Sequence, residues 1–140
     1  MKRHEAREQA FALIFERSIN HDPTEQIIDA AGLSRDIIID DFAEKIAVGV
    51  EENEETLNAR IEKNIRGWKM NRLSKVALAL MKLSIYEMMF EKDIPVSVSI
   101  NEAVDLAKKY GGADDAPFVN GVLGSVAKEL VEKEFHETAN

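Results

Sequence analysis

The sequence predicts an all-α fold, and three observations support this prediction. Apolar residues recur at the three- and four-residue spacings of amphipathic helices, and no segment alternates apolar and polar residues as a half-buried strand does. Only three prolines and seven glycines interrupt the 140 residues, of which 45% are hydrophobic. A chain of this length can bury one substantial core, so we expect residues 1–140 to form one domain, a compact bundle of about six or seven helices.

The first helix is predicted from Lys2 to about Ile19. Its buried face consists of residues at helical spacing, Ala6, Ala10, Leu13 and Ile14. Its first turns are mildly basic, although the formal net charge of the chain is -8. From composition alone, this basic tip is a solvated helix start. Because nonspecific affinity for nucleic acid depends on cations, any RNA site on such an acidic chain must be local.

A short second helix is predicted after the first. Asp22 is a suitable N-cap, Pro23 suits a first helical turn, and Glu25 is placed to reach back to the cap. We expect this helix to run to Ala31 and to end at Gly32.

The next segment is predicted as one long helix, or two helices joined near Gly49, beginning at about Ser34 or Asp36 and ending by Gly67. Its apolar residues recur at helical spacing: Phe42, Ile46, Val50, Leu57 and Ile61. Acidic residues crowd between Glu51 and Glu55, and we interpret them as a solvated face.

An unusually apolar helix is predicted from about Leu73 to Phe90, with Asn71 as its N-cap. Trp68, the only tryptophan, is expected to fill the core just before it. A helix that is apolar nearly all round is usually buried centrally or covered by a partner. One line along it looks open, which makes it a candidate protein-contact surface: Lys75, Ala79, Lys82 and Tyr86.

Two helices around a tight turn are predicted in the C-terminal third of the chain. Gly111 and Gly112 are expected to end the first of them by adopting the left-handed conformation. The next helix begins at Asp115, followed by a proline in its first turn. Within that last helix, Gly121 and Gly124 cost helix propensity, which suggests that another backbone packs tightly against them.

The sequence contains no recognisable catalytic motif. Phosphate-binding and dinucleotide-binding glycine loops, a nucleophile elbow and a zinc-protease helix are all absent. The chain has no cysteine and three scattered histidines, which argues against a thiolate or histidine-rich metal site. We therefore expect a binding protein with no cofactor rather than an enzyme. Without a signal peptide or a long apolar run, a cytoplasmic location is expected.

Four ordered sequence blocks resemble the NusB family of bacterial transcription antitermination factors. The blocks are HEAREQAFALIF, NRLSKVALALMKLSIYEM, INEAVDLAKKYGG and FVNGVL, and they span nearly the whole chain. The resemblance implies a helical fold and the binding of the boxA element of nascent RNA together with NusE, a small-subunit ribosomal protein. It also implies a complex with RNA polymerase and other Nus factors that reads through terminators, chiefly on ribosomal RNA operons.

The resemblance further implies which residues contact RNA. The arginine-rich N-terminal segment of the family matches Arg3 and Arg7, and Phe118 matches a phenylalanine that lies at the RNA surface. Phe118 is thus a candidate stacking platform, whereas from the sequence alone a core aromatic is equally plausible. Asn120 has an alternative role as an internal link within its helix pair. The complete set of expected RNA contacts is Lys2, Arg3, His4, Arg7, Asp114, Phe118 and Asn120.

The alternative function is a helical interaction or dimerisation module without an operating RNA site, since some relatives form homodimers that cover the RNA surface. Charge reversal at Arg3 and Arg7 distinguishes the two hypotheses, because it abolishes RNA binding under the first and has little effect under the second.

Overall fold

The computed structural model describes the backbone of residues 1–35 and 37–139 and the side chains of residues 1–33 and 37–133. Over these residues it contains seven α-helices, one 3₁₀ turn and no strand, which confirms the predicted fold class. None of the described helices combines the length and the apolar character that a membrane span requires. The elements are α1 Arg3–Asn20, α2 Thr24–Arg35, α3 Asp41–Glu52, α4 Glu54–Lys63, the 3₁₀ turn Met70–Arg72, α5 Lys75–Phe90, α6 Val96–Tyr110 and α7 Asp115–Ala139.

Helix α5 lies at the centre of the bundle. Every residue from Ala79 to Met88 is buried, and α1, α3, α4, α6 and α7 all pack against this helix. Its N-cap is Ser74, whose side chain accepts a hydrogen bond from the backbone N–H of Ala77 at 3.1 Å. The predicted cap, Asn71, lies instead in the 3₁₀ turn. The central burial expected from the apolar sequence is therefore confirmed.

The line of residues on α5 that was predicted to be exposed to solvent is mostly buried. Lys75 is exposed, but Ala79, Lys82 and Tyr86 are all buried. Lys82 reaches across to α4, where its Nζ lies 2.7 Å from Glu54 Oε1. The prediction of an exposed protein contact along this line is wrong at three of its four positions, because α3 and α4 cover it.

Helices α3 and α4 confirm the alternative of two helices, but their junction is at Asn53 rather than at Gly49. Gly49 lies inside α3, where an added Cβ would approach the ring of Tyr86 to 2.3 Å. Glycine is therefore required there by the close approach of α3 and α5. The expected start near Ser34 or Asp36 falls partly outside the described residues, and α3 itself begins at Asp41.

Helix α2 begins and ends later than predicted. Asp22 is not its cap: the helix starts at Thr24, whose backbone N–H donates to Glu51 Oε1 of α3 at 2.8 Å. The helix continues through Gly32 to Arg35. Gly32 is exposed, and an exposed glycine inside a helix weakens it without breaking it.

The acidic residues between Glu51 and Glu55 are more than a solvated face. Glu54 Oε2 lies 2.6 Å from Arg17 Nη1, and its other oxygen accepts from Lys82, so one carboxylate connects α1, α4 and α5. Burial opposes the ionisation of Glu54, but the hydrogen bonds from Lys82 and Arg17 outweigh it and hold the pKa of this carboxyl below its usual value.

Helices α6 and α7 form the predicted pair, but the glycines at their junction and within α7 do not have the predicted conformation or packing. Gly111 has φ -98°, so it does not end α6 through the left-handed conformation. A Cβ there would lie 2.5 Å from Asp115 Oδ2, which accepts from the backbone N–H of Gly112 at 3.0 Å. Gly121 and Gly124 are exposed, and no atom lies within 4 Å of an added Cβ at either position. The predicted tight backbone packing at these two glycines is therefore wrong.

The substitution Glu54→Gln is expected to reduce stability at neutral pH and to have less effect in acid. Because the folded-state pKa of Glu54 is lowered, its charged form stabilises the fold above about pH 4.5, and this contribution is lost as the pH falls through the lower folded-state value. Urea unfolding at pH 7 should show a loss of about 1–3 kcal/mol that shrinks towards pH 3.5. The neighbouring Glu55→Gln, at an exposed position, is the matched control. An equal loss at both pH values would contradict the assignment.

Candidate nucleic-acid interface

The basic residues at the start of α1 divide into an exposed and a buried group. Lys2, Arg3 and His4 are exposed, as an RNA contact requires. The guanidinium of Arg3 lies over the ring of Phe42, 3.9 Å from its centroid, and this cation–π contact orients the side chain. Arg7, in contrast, is only 3% exposed.

Arg7 forms a buried ion pair with Glu87 of α5. Its Nε lies 3.0 Å from both carboxylate oxygens and its Nη2 lies 2.8 Å from Oε1. Glu102 of α6 adds a longer contact of 3.7 Å to the Nη1 of Arg7. Burial raises the pKa of Glu87, and the hydrogen bonds from Arg7 oppose this rise. The arrangement joins α1, α5 and α6, and it contradicts the expectation that Arg7 lies at the surface to contact RNA.

An aromatic pair, Trp68 and Phe118, lies by the N-terminal end of α5. The ring centroids are 5.7 Å apart, with 59° between the ring planes. Trp68 is 60% exposed, so the prediction that it fills the core is wrong. Phe118 is half-buried and packs against the hydrophobic core, so it combines features of both roles proposed from the sequence.

A cavity of about 410 Å³ opens beside the aromatic pair. Within its lining, the side chain of Ser74 donates to Asp115 Oδ2 at 3.1 Å, which ties the start of α5 to the start of α7. This volume lies within the range of small-molecule binding pockets, so the cavity is large enough to admit a nucleobase. The cavity is lined by Trp68, Arg72, Leu73, Ser74, Asp114, Asp115 and Phe118.

Three exposed cations, Arg66, Lys69 and Arg72, surround Trp68 in the sequence, and Arg72 also lines the cavity. Among the residues whose side chains the structure describes, none of the three has an ion-pair partner. Aromatic faces flanked by cations are the usual means of holding single-stranded nucleic acid. Sequence reasoning missed these residues, although the alternation of basic residues around the single tryptophan in RGWKMNR was a usable signal.

Asp114 and Asn120 both lie near Phe118 and are exposed. Asp114 lies in the turn before α7 and also lines the cavity. In the described part of the chain the side chain of Asn120 makes no hydrogen bond, so the alternative of an internal link between α6 and α7 is not observed.

The two groups of expected RNA contacts lie towards opposite ends of α5. Arg7, one turn after Arg3, pairs with Glu87 near the C-terminal end, while Ser74 at the N-terminal end bonds Asp115, close to Phe118. At 1.5 Å per residue, Ser74 and Glu87 are separated by about 20 Å along the helix. Only an extended RNA segment of several nucleotides can contact both groups.

A larger groove of about 700 Å³ follows the exposed side of α1. Its apolar part includes Phe11, Phe15 and Tyr110, and the Phe11 and Tyr110 ring centroids are 5.2 Å apart. Glu8 accepts hydrogen bonds from Lys109 at 2.6 Å and from the Tyr110 hydroxyl, which fixes its carboxylate at the edge of the groove. We call this surface the α1 groove. It is lined by Met1, Glu5, Glu8, Gln9, Phe11, Ala12, Phe15, Glu16, Val76 and Tyr110.

Comparisons with known proteins agree with the fold and the sequence blocks. The sequence model that describes the NusB family matches residues 4–128 of this chain. The transcription antitermination protein NusB of Clostridium novyi (strain NT) is 42% identical over 132 residues, which cover 91% of this chain and 99% of the relative. A solved structure of T. maritima NusB has a TM-score of 0.79 at 34% identity and covers 92% of each chain.

A further solved structure contains the antitermination factors NusB and NusE in complex with double-stranded RNA. Its matching chain has a TM-score of 0.79 at 25% identity and covers 92% of this chain and 99% of its own length. The helical fold and these matches define a protein of the antitermination-factor class. The chain belongs to the NusB family.

The substitution Arg7→Ala is expected to lower the free energy of unfolding by about 3–5 kcal/mol, because it leaves the buried Glu87 carboxylate without its partner. Arg3→Ala, which removes an exposed arginine one turn earlier in the same helix, is the matched control and should change stability far less. Urea denaturation followed by circular dichroism measures both. Similar losses in the two variants would show that the buried pair is not a special source of stability.

Proposed function

We propose that this chain is a transcription antitermination factor that binds boxA RNA together with NusE. In this proposal the complex joins RNA polymerase and other Nus factors and promotes read-through of terminators, notably on ribosomal RNA operons. Membership of the NusB family supports the class of activity. The observation that carries the RNA-binding part is the aromatic pair of the exposed Trp68 and the half-buried Phe118, which line one cavity with the cation of Arg72.

The electrostatics favour an RNA interaction that needs a partner. The net charge of -8 opposes the approach of phosphates to most of the surface. The exposed cations proposed to contact RNA are few: Lys2, Arg3, Arg66, Lys69 and Arg72. A basic partner adds phosphate contacts and tethers the RNA, while the aromatic pair supplies selectivity for unpaired bases. RNA affinity of the isolated chain should therefore be weak and should fall further as salt is added.

The α1 groove is the surface that we propose for NusE. Its lining combines apolar side chains, among them Phe15, Val76 and Tyr110, with the carboxylates of Glu5 and Glu8. Acidic residues in the groove complement a basic ribosomal protein and disfavour pairing with a second acidic copy of this chain. A relative has been solved together with NusE and RNA, which supports the choice of this partner. The α1 groove replaces the buried line on α5 as the candidate protein contact.

Selective binding to boxA-type RNA is the central prediction. In fluorescence anisotropy at low salt, the chain should bind boxA-type single-stranded RNA more tightly than a scrambled RNA, and NusE should strengthen this preference. Arg3→Glu should weaken RNA binding because it replaces an exposed cation of the proposed surface by an anion. Lys133→Glu makes the same charge change 15 residues beyond Phe118 on α7, about 22 Å along the helix, and should have little effect.

The absence of selectivity in both conditions would reject the RNA-binding proposal. It would favour instead an interaction or dimerisation module, for which the next measurement is the mass of the chain in solution by sedimentation.

The substitution Ala12→Arg is expected to disrupt NusE binding. Ala12 is exposed on α1 and lines the groove, so a large cation at this position meets a basic partner and blocks the apolar surface without disturbing the core. Ala59→Arg on the exposed face of α4 is the matched control. Calorimetric titration with NusE should show at least a tenfold loss for Ala12→Arg, by about 1.4 kcal/mol or more, and almost none for the control. Unchanged affinity in Ala12→Arg would place NusE elsewhere.

A further inference from the structure

Trp68 is far more exposed than the large apolar side chains that form the core. The indole is 60% exposed, although the interior of the bundle is otherwise filled with large apolar side chains. We propose that Trp68, rather than Phe118, provides the face on which an unpaired RNA base stacks, and that Phe118 is a positioning residue that holds the indole. This inference rests on the proposed function, because it assumes that single-stranded RNA reaches this surface.

The unequal exposure of the two rings determines which can stack. Phe118 is half-buried against the core, with Trp68 lying against it at a centroid distance of 5.7 Å. Stacking on a base requires an accessible aromatic face, and the larger indole presents more of its surface to solvent. Phe118 therefore supports the indole, and Trp68 offers the face for the base.

The segment that carries Trp68 holds it in place without burying it. Ile65 is buried just before it, and the backbone N–H of Trp68 donates to the carbonyl of Ile65 at 2.9 Å. Between them Gly67 adopts a left-handed conformation, with φ 79°, so residues 65–68 form a tight turn that ends at the exposed Trp68. On the other side Leu73 is half-buried against the core. A fixed aromatic face loses little conformational freedom on binding, which favours affinity.

Charge around the cavity gives a bound strand an orientation. Arg72 lines the cavity, and the exposed Arg66 and Lys69 flank Trp68 in the sequence, whereas Asp114 and Asp115 line the side contributed by the start of α7. Phosphates are attracted to the cationic side and repelled from the acidic side. A strand that runs past the cations therefore places its sugar–phosphate backbone over them and directs a base into the cavity against Trp68. The expected ligand is an unpaired base with its flanking phosphates, because bases inside a duplex are already stacked on their neighbours.

The sole tryptophan of the chain makes this proposal directly testable. Titration of the protein, alone and with NusE, with boxA-type single-stranded RNA should quench Trp68 fluorescence at the same RNA concentrations at which RNA anisotropy reports binding; NusE must be a variant without tryptophan. A fully paired duplex of the same sequence should quench far less. Trp68→Ala should weaken RNA binding about 5- to 150-fold, the range expected for one stacked base, and Trp68→Phe should retain most of the affinity.

The positioning role of Phe118 is separated from a stacking role by two variants. Phe118→Ala should lower the fluorescence anisotropy of Trp68 in the free protein, because the indole loses its support, and should weaken RNA binding. Phe118→Leu keeps an apolar support but has no aromatic face, so it should restore most of the RNA affinity. Phe90→Ala is the matched control, since Phe90 is an exposed phenylalanine at the opposite end of α5.

Three outcomes overturn the inference. If RNA binds selectively but neither quenches Trp68 nor responds to Trp68→Ala, the stacking face lies elsewhere and the proposed function stands. If Phe118→Leu loses as much affinity as Phe118→Ala while Trp68→Ala loses little, Phe118 itself is the stacking residue. If no RNA binds with or without NusE, the proposed function and this inference both fail. Circular dichroism melting of each variant confirms that it is folded; because Trp68 is exposed, its replacement should leave the melting temperature nearly unchanged.

Discussion

The burial of α5 on all sides is the constraint on which the rest of the bundle depends. A helix inside a bundle cannot leave a charged side chain without a partner, because an uncompensated charge in a low-dielectric interior is costly. Two of its buried residues are charged, and each is paired from a different helix: Lys82 by Glu54 of α4, and Glu87 by Arg7 of α1. These two pairs fix the positions of α1 and α4 relative to α5 more specifically than apolar contacts alone.

This constraint also shapes the proposed function. Arg7 is occupied by Glu87 and cannot reach solvent, so the N-terminal tip contributes fewer cations to an RNA surface than its sequence suggests. The segment before α5 compensates, because the residues around Trp68 carry three cations on an exposed turn. The charge available for phosphate contacts is thus divided between two places towards opposite ends of α5, which suits an extended strand and a partner that bridges the interval.

The predictions from sequence succeeded where the determining forces are local and failed where they are not. Helical spacing located both ends of α1 and α5 to within two residues, because periodic apolar positions report directly on one buried face. Turn and cap residues located the end of α6 and the start of α7 equally well. The burial of Arg7 depends on Glu87, which is 80 residues away in the sequence. The spacing of residues within one helix gives no information on a contact between residues so far apart. A single glutamate in an almost wholly apolar helix was nevertheless a usable signal that a cation must be buried beside it.

Trp68 is a second residue whose burial was predicted wrongly from the sequence. Trp68 was expected in the core because large apolar side chains are usually buried. Trp68 instead ends the turn that contains Gly67, and its ring lies against Phe118, which is the more buried of the two. Both depend on the backbone between two helices, where sequence periodicity gives no information.

The separation of 80 residues between Arg7 and Glu87 has a consequence for synthesis of the protein. At about 5–20 residues per second, the ribosome needs about 4–16 s after adding Arg7 to add Glu87. During that interval α1 and α3 can pack against each other. Their apolar faces that contact α5 in the folded protein stay uncovered, because α5 has not yet been synthesised. The first half of the nascent chain is therefore exposed to aggregation and chaperone binding until the centre of the bundle emerges, and folding is completed late rather than helix by helix.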